Sequence, residues 1–262
     1  RGVTGGEGYS VKSFQAFSPK ISISYQLNPS LITYLAFNRG FRAPSISELF
    51  LEYESSYGLL LQGNPTLKPE SLTSLEGGLK FQKKEVSFFG NVFFNHYSDM
   101  IDFIYTIPVR SVNREIVRGV GVELGSNISL ESIGSNFNIT YGYLDLSEDS
   151  DAPLLYRPKH KVRFTWVQQF RLFDIRLSTR YASKQLYEDF LSDTHPMDGN
   201  TVIFPLETLP ETFISDFSIS KIILDYDISL KVKNLFDNDY VLIQHYPMPG
   251  RNFEMSIMKA IK

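Results

Sequence analysis

Residues 20–27 read KISISYQL, a stretch in which apolar and polar residues alternate without a break. Successive side chains of a β-strand point to opposite faces, so this alternation gives the segment one apolar row and one polar row. A helix would instead need apolar residues three and four positions apart. The apolar row consists of Ile21, Ile23, Tyr25 and Leu27, and the polar row of Ser22, Ser24 and Gln26.

The same period of two recurs along the chain, and no segment shows a convincing long helical stripe. Clear repeats are GVGVELGSNISL at 119–130, RLFDIRLSTRY at 171–181 and YDISLKVK at 226–233. In each, an apolar row opposes glycine, polar or charged residues, which predicts a sheet with two unlike faces. We predict eleven strands, at 18–27, 30–38, 71–82, 86–105, 115–130, 134–146, 159–169, 172–186, 211–221, 225–234 and 251–260.

The connections between these strands alternate between short and long, so one end of the sheet is tight and the other elaborate. The short turns lie at Asn28-Pro29, Lys83-Lys84, Glu131 to Gly134, Phe170-Arg171 and Leu224-Asp225. The long connections lie at 39–70, 106–114, 147–158, 187–210 and 235–250. Short turns on one side and long loops on the other are typical of outer-membrane barrels, whereas a soluble sandwich mixes its turn lengths.

Strand length supports the same interpretation. The predicted strands are longer than the roughly five or six residues of an average globular strand. Ten residues at about 3.3 Å each, tilted by some 40°, rise about 25 Å, which is the apolar height of an outer-membrane barrel. The sequence therefore predicts an all-β, antiparallel transmembrane β-barrel.

Composition and charge exclude several function classes. The chain has 262 residues, with 21 Phe and 15 Tyr, residue types that favour strands and membrane interfaces. A net charge of −3 does not indicate nucleic-acid binding, which usually requires a basic protein surface. The absence of Cys excludes disulfides, thiolate metal sites and Cys nucleophiles. No apolar run approaches the roughly 18–20 residues that a spanning helix requires. A β-barrel leaves the same weak hydropathy trace.

No motif nominates an enzyme or a bound cofactor. The chain lacks a G-x-S-x-G elbow, an H-E-x-x-H pair and a phosphate-binding glycine loop. The neighbouring carboxylates Glu148, Asp149 and Asp151 fall in a polar connection, where solvated side chains are the simpler interpretation. We therefore expect no catalytic activity.

The longest connection opens with GFRAPSISELF at 40–50. Gly40 permits an unusual backbone angle and Pro44 cannot donate to a ladder, so this stretch reads as a strand exit near Asn38. Ser45 and Glu48 have the spacing of a capping box, which predicts a short helix. Further on, GNPTLKPES at 63–71 forms a rigid turn into the next strand.

Five motifs together resemble one known family. They are GFRAPSISELF, GNPTLKPE, FFNHYSDMIDFI at 93–104, LLYRPKHKVRFTW at 154–166 and VKNLFDNDYVLIQHYPMPGRNF at 232–253. In order and spacing they are similar to the C-terminal half of TonB-dependent outer-membrane receptors, from about residue 18 to the end. Each motif alone is only moderately specific, but five in the correct order are strong evidence.

The resemblance implies a barrel of 22 strands closed from inside by an N-terminal plug. Residues 1–262 would then be the C-terminal portion of the barrel and supply about its last eleven strands, while the plug and the first barrel half lie outside this chain. The alternative for the odd count is a further frayed strand at 10–17. Members usually end on an aromatic residue, whereas this chain ends MKAIK.

The resemblance also implies a function and its partners. Such receptors actively take up a scarce nutrient across the bacterial outer membrane: a ferric siderophore, cobalamin, haem or another metal complex. The energy comes from TonB and its inner-membrane complex, through the plug. Further implied partners are the small metal-chelate or cofactor ligand, outer-membrane lipid, and a phage or bacteriocin. The rival interpretations are a passive porin and a surface binding protein or adhesin on a soluble sandwich.

Charged residues on the polar rows are expected to face the lumen, because an Arg or Lys facing lipid costs roughly 2–4 kcal/mol at mid-bilayer. In the functional interpretation some of them contact the plug. In the alternative, they form a solvated, ion-paired wall that contributes little to stability. The residues are Glu76, Glu123, Arg163, Arg176, Arg180, Lys231 and Lys233.

Ligand contacts are expected in the long connections, where aromatic rings can stack on a siderophore or corrin. Two loops with a His near Met, 187–210 and 235–250, could meet above the barrel, and such a cluster would suit copper, zinc or haem iron. Exposed loop residues without a ligand are the alternative, and the metal is unknown. The candidates are Tyr53, Tyr57, Tyr187, His195, Met197, His245 and Tyr246. Haem-type members of the family that this chain resembles carry a His between the FRAP and NP-L motifs. Residues 45–63 contain no His, which makes haem a weaker candidate for the ligand.

Overall fold

A computed structural model describes residues 13–55, 58–104, 108–149, 153–189, 197–198, 201–202 and 204–259, with the side chains of 55, 58–60, 197–198 and 201–202 left out. Within these ranges one α-helix, α1, spans Ile46–Phe50 and a 3-10 helix spans Glu131–Ile133. The strands are β1 (Lys20–Asn28), β2 (Leu31–Arg42), β3 (Glu52–Ser55), β4 (Gly58–Gln62), β5 (Glu70–Lys83), β6 (Val86–Ile104), β7 (Val109–Leu130), β8 (Ser135–Glu148), β9 (His160–Gln169), β10 (Asp174–Ala182), β11 (Gln185–Glu188), β12 (Met197–Asp198), β13 (Thr201–Val202), β14 (Leu206–Leu209), β15 (Thr212–Ile223), β16 (Tyr226–Lys233), β17 (Val241–Ile243), β18 (Tyr246–Pro247) and β19 (Asn252–Lys259).

Eleven long strands form one continuous sheet, as the sequence predicts. Their order is β1-β2-β5-β6-β7-β8-β9-β10-β15-β16-β19, and every neighbouring pair is antiparallel. The short strands lie in the long connections, where β3 pairs with β4, β11 with β14, β12 with β13 and β17 with β18. Each long strand pairs with the next one along the chain, which is the up-and-down topology of an antiparallel barrel wall.

Three sequence expectations differ from the structure at the ends of strands. β2 continues beyond Asn38 to Arg42, because Arg39 to Arg42 pair with the start of β5. β6 and β7 run on as one long hairpin in which Ile104 pairs with Arg110, so most of the predicted connection 106–114 is strand. The predicted strand 172–186 ends at Ala182, and Gln185–Glu188 form β11, which pairs with β14 instead.

The short turns use residues with positive φ. Leu224 (φ 50°) and Asp225 (φ 68°) both lie in the left-handed region, which matches the twist of a two-residue hairpin between β15 and β16. Lys84 (φ 47°) makes the turn between β5 and β6, and Gly134 (φ 65°) follows the 3-10 helix. Gly40 has no positive φ, so the unusual backbone angle that a glycine permits is not used at this position.

The register keeps apolar and polar residues on separate faces across the whole sheet. Leu35, Gly77, Val92 and Val122 form one row, and the neighbouring row on the same face is also apolar. We call this the apolar face and the opposite one the polar face. Side chains of the apolar face are strongly exposed, as Ile23 (68%) shows, because no other layer packs on them. An uncovered apolar face of this extent requires another apolar medium or partner.

The polar face is built around glycines covered by aromatic rings. Gly121 pairs with Phe93, and Gly125 with Phe89. A Cβ atom on either glycine would lie 2.1 Å from the partner's ring, so only glycine leaves room for the phenyl groups. The glycines of GVGVELG therefore reflect close side-chain packing across β6 and β7.

The described residues contain one small buried cluster, which lies in the first long connection. Leu49 of α1, Leu67 and Ile101 form it, with Phe50 packed against them. Within the described residues, no helix has the length and hydropathy that a transmembrane helix requires. Burial in this chain therefore concentrates where the loops cover the strand ends.

Candidate functional site

The GFRAPSISELF motif forms a clamp at the end of β2. Ser45 caps α1 through a capping box with Glu48, as predicted. Arg42 donates to both carboxylate oxygens of Glu48 at 3.0 Å, and its Nε donates to Glu70 at 2.8 Å. Burial opposes ionisation of Glu48, but hydrogen bonds from Ser45 and Arg42 hold its pKa below the usual value. The motif is thus an ion-paired junction between β2, α1 and β5.

The GNPTLKPE motif anchors the same connection onto the β6–β7 hairpin. Asn64 donates its amide to the carbonyl of Ser111 at 3.0 Å. Asn113 accepts from the backbone N–H of Lys68 and donates to the carbonyl of Asp99. Both motifs therefore act as architecture at the end of the sheet that carries the long connections.

An ion cluster at the same end was not found from the sequence. Arg114 donates from Nε to Asp102 at 2.7 Å and from Nη1 to Glu148, while Arg157 lies 3.4 Å from the other oxygen of Asp102. Its members come from β6, β7, β8 and the connection after β8. The Nη1 atom of Arg157 is buried without a hydrogen-bond partner among the described residues.

A cavity of about 760 Å³ lies beside this cluster. That volume is typical of a small-molecule site. Basic groups of Arg157, Lys159 and Lys184 line it together with apolar side chains, and Lys159 pairs with Asp145 at 2.6 Å. The apolar lining comes from Leu144, Leu146, Leu154, Leu186 and Leu206. Asp145 and Glu148 line it too, so the cavity combines apolar walls with charged groups of both signs.

The two loops that were expected to meet do so within their described parts. His245 lies 3.0 Å from a carboxylate oxygen of Asp189, and the amide of Gln185 donates to the carbonyl of Leu242 at 3.3 Å. Tyr246 is exposed beside this contact. The connections that follow β10 and β16 are therefore joined at the long-connection end.

Tyr187 has a structural environment. It is only 4% exposed, and its hydroxyl donates to Glu207 at 2.7 Å. Burial and the nearby carboxylate raise its pKa to about 12. The sequence analysis expected this ring to stack on a ligand, but in the structure the ring is buried and not accessible from solvent.

The remaining ligand candidates are dispersed. Tyr53 is exposed on β3, which pairs with β4, whereas His245 belongs to the loop after β16. Tyr57 and His195 lie outside the described residues, and Met197 is described only as backbone in β12. Among the described residues, no three His, Asp or Glu side chains are grouped so that they could hold a metal ion.

The seven charged residues expected to share a face do share the polar face. Glu76 pairs with Phe93, and Phe93 pairs with Gly121 on β7. Glu123 is two residues from Gly121, so Glu76 and Glu123 point to the same side of the sheet. On the same face Arg163 pairs with Arg180, and two turns of the pleat away Arg176 pairs with Ser218, which pairs with Lys231. The remaining member, Lys233, falls at the same alternate positions of β16 as Lys231.

Two arrangements on this face involve those charges. A cavity of about 550 Å³ brings Glu123, Arg163 and Arg180 together. Arg163 and Arg180 are directly opposite each other, a destabilising pairing of like charges unless it is compensated. Asp216 lies 3.6 Å from Arg180 and supplies part of that compensation. Lys233 pairs with Glu254 in the same way at the end of the sheet.

Solved structures with the same fold are receptors and transporters by their descriptions. The siderophore receptor PirA from Acinetobacter baumannii aligns with a TM-score of 0.71 and 18% identity over 92% of this chain and 40% of its own. The copper transporter OprC gives 0.72 and 19% over 92% and 38%. The FrpB iron transporter from Neisseria meningitidis gives 0.66 and 14% over 92% and 38%. This chain thus spans about two fifths of each.

The amino-acid sequence itself matches a described family. Residues 1–235 match the family described as TonB dependent receptor-like, beta-barrel. That range contains ten of the eleven long strands and four complete motifs of the five on which the resemblance was based. The structural neighbours independently share the antiparallel barrel fold. The chain therefore belongs to the TonB-dependent receptor family, in the part that forms the β-barrel.

Proposed function

We propose that the protein actively takes up a scarce nutrient, as a small metal chelate, across the bacterial outer membrane with energy from TonB. Residues 1–262 supply the C-terminal portion of its barrel wall and several outer loops, whereas the plug and the first barrel half belong to other parts of the protein. The observation that carries this proposal is the division of one eleven-stranded sheet into an uncovered apolar face and a charged polar face.

The two faces suit lipid on one side and the lumen with its plug on the other. Exposed apolar side chains on long strands have a favourable environment in the bilayer, and charged side chains on the opposite face avoid the cost of facing hydrocarbon. Glu76 and Glu123 on β5 and β7 are our candidates for plug contact, together with Arg163 and Arg180.

The cavity at the long-connection end supports an anionic chelate as ligand. Lys184 makes no ion pair among the described residues and can attract negative charge, and the leucine-rich wall of the cavity favours apolar or aromatic parts of a ligand. A ferric siderophore fits this combination and is our first choice. Cobalamin, haem and copper complexes are the alternatives, and the matched structures include a copper transporter as well as siderophore receptors.

Further ligand contacts are proposed in the joined loops. His245 and Tyr246 lie at the contact with β11, and Tyr53 is exposed on β3. Tyr57, His195 and Met197 remain sequence predictions for the same ligand. Tyr187 would take part only if its hydrogen bond to Glu207 opens.

Uptake by cells that express the full-length protein tests the proposal. A deletion strain should lose uptake of one labelled chelate among ferric siderophores, haem, cobalamin and copper complexes, and the full-length gene should restore it. Restored uptake should stop when TonB is removed. Lys184→Ala in the cavity should weaken chelate binding, while Lys221→Ala, at the short-turn end, should leave it unchanged.

The rival functions predict other results. A passive porin would transport without TonB, and transport that survives removal of TonB would contradict active uptake. A surface adhesin on a soluble domain would remain folded and monodisperse in buffer without detergent. Phages and bacteriocins are further candidate partners of the exposed loops, and cells lacking the protein would then become resistant to them.

A further inference from the structure

A row of basic residues lies on the apolar face at the long-connection end of the sheet. The register pairs Arg39 with Thr73, Thr73 with His96, and His96 with Arg118. Arg39, His96 and Arg118 therefore point to the same side from β2, β6 and β7. We call these three residues the basic row. With adjacent strands about 4.8 Å apart, its ends lie about 14 Å from each other.

The basic row directly follows the last apolar row of that face. Two residues nearer the short-turn end of each strand, Phe37 pairs with Leu75, Leu75 with Phe94, and Phe94 with Val120. All four side chains are exposed. Two residues of a strand advance by about 6.6 Å, so the change from hydrocarbon-like to cationic surface is abrupt.

Such a boundary matches the depth at which a bilayer changes from acyl chains to headgroups. An Arg on the lipid side of a barrel is costly at mid-bilayer, but the cost falls to about 0–1 kcal/mol near the interface. The same face also carries aromatic residues of the type that is enriched at membrane interfaces, since Tyr141 and Tyr143 pack against His160 there.

The charges around the basic row leave it net cationic. Arg39 makes no ion pair among the described residues, and it is exposed. Arg118 donates to both carboxylate oxygens of Asp149, which is itself half-exposed. The neighbouring Lys159 and Asp145 neutralise each other at 2.6 Å. Within the described part of the chain the Arg39 guanidinium thus has no ion-pair partner, and the Arg118 guanidinium is held by an exposed carboxylate with which an anion can compete.

We propose that the basic row binds the phosphate groups of lipids in the leaflet that adjoins the long-connection end. A guanidinium donates two parallel hydrogen bonds to a phosphate, and His96 between the two arginines adds a donor. Because the occupant sits beside exposed Phe37 and Phe94, it must carry acyl chains as well as phosphate. The inference rests on the proposed function, since it requires the apolar face to lie in a bilayer.

Lipid retention by the full-length protein in non-ionic detergent tests this inference. The probes are lipid A, a phosphorylated glycolipid, and the same lipid after removal of its phosphates, with bound lipid measured by mass spectrometry after gel filtration. Arg39→Ala and Arg118→Ala should each weaken binding of the phosphorylated lipid about fivefold, the effect of one basic residue near an anionic surface. Asp149→Asn should strengthen it, because Arg118 loses its competing carboxylate.

The controls separate this inference from folding and from the proposed function. Lys83→Ala removes a cation at the short-turn end of β5 and should change nothing. Arg39→Lys keeps the positive charge but cannot donate two parallel hydrogen bonds to one phosphate, so it should weaken lipid binding less than Arg39→Ala does. Equal retention of both lipids, full retention by the double variant that carries both Arg39→Ala and Arg118→Ala, or inorganic phosphate bound as tightly as the phosphorylated lipid would overturn the proposal. So would a dimer that the double variant dissociates, because a second copy would then occupy the face.

The two proposals fail in different ways. A protein that is folded without detergent contradicts the proposed function and this inference together. A protein that needs detergent and still takes up its chelate, but retains lipid independently of the basic row, contradicts this inference alone.

Discussion

The hydroxyl of Tyr34 on β2 donates a 2.6 Å hydrogen bond to a carboxylate oxygen of Glu76 on β5, which also accepts from the amide of Asn91 on β6 at 3.0 Å. Three adjacent strands are thereby tied together on the polar face. Gly78 makes the geometry available, since a Cβ atom there would lie 2.8 Å from the Tyr34 hydroxyl. This network stabilises the polar face where β2, β5 and β6 meet.

Replacing Tyr34 by Phe should destabilise the full-length protein, because the partly buried Glu76 loses a donor. A hydrogen bond to a charged group contributes about 1.5–3 kcal/mol, so the midpoint of thermal unfolding in detergent should fall. Tyr25→Phe, on the exposed apolar face of β1, is the matched control and should leave the midpoint unchanged. Equal midpoints for both variants would show that the network contributes nothing to stability.

A methyl group at Gly121 should be poorly tolerated, because it would press on the ring of Phe93. Overpacking of this kind costs about 1–3 kcal/mol. Gly121→Ala should therefore lower the unfolding midpoint, and a second change, Phe93→Leu, should restore part of the loss. Gly142→Ala is the control, since its Cβ would meet nothing within 4 Å. Similar effects of the two alanine variants would contradict the packing explanation.

Removal of Arg114 should be among the most damaging changes at the long-connection end. Its side chain is only 10% exposed, and Arg114→Met would leave Asp102 and Glu148 without their shared cation. Breaking such a buried pair costs about 3–5 kcal/mol. Lys68→Met breaks the ion pair with Asp99 at a side chain that is 71% exposed, and it should cost less than about 1 kcal/mol. If the two variants unfolded at the same midpoint, the ion cluster around Arg114 would contribute no more to stability than an exposed ion pair.

The clamp around Glu48 should loosen in acid. Its folded pKa lies below the ordinary value of 4.5, so the unfolded loop binds a proton first as the pH falls. The clamp's stabilisation is then complete above pH 4.5 and is lost as the pH falls through the folded pKa. The protection factors of the α1 amides in hydrogen exchange, which correct for the intrinsic effect of pH on the exchange rate, should fall over that range, and Glu48→Gln should remove this pH dependence. An unchanged dependence in this variant would assign it to other groups.

Alternation in the sequence predicted the strands well because each residue's face depends only on its position along its own strand. KISISYQL and YDISLKVK became β1 and β16 with ends within one residue or two of the prediction. Glu76, Glu123 and Arg163 lie on one face for the same reason. Residues that pair across neighbouring strands point to the same side of the sheet, so the alternation stays in phase from strand to strand.

Strand ends were harder to predict, because partners elsewhere in the chain decide them. The sequence around Arg39 and Gly40 indicated the end of a strand, but backbone pairing with β5 extends β2 as far as Arg42. Likewise β7 begins at Val109, inside the predicted connection 106–114, where Asn113 and Arg114 are held by Lys68 and Asp102. Local propensity contains no information about these distant partners.

The sequence by itself therefore determined an antiparallel wall with eleven long strands, one apolar face and one polar face, together with the family. Only the tertiary structure decided which side chains meet, because those contacts depend on register between segments that are far apart in the chain. Tyr34 and Glu76 are separated by 42 positions, and Arg114 and Glu148 by 34. The same long-range register aligned Arg39, His96 and Arg118 into one row at the border of the apolar face.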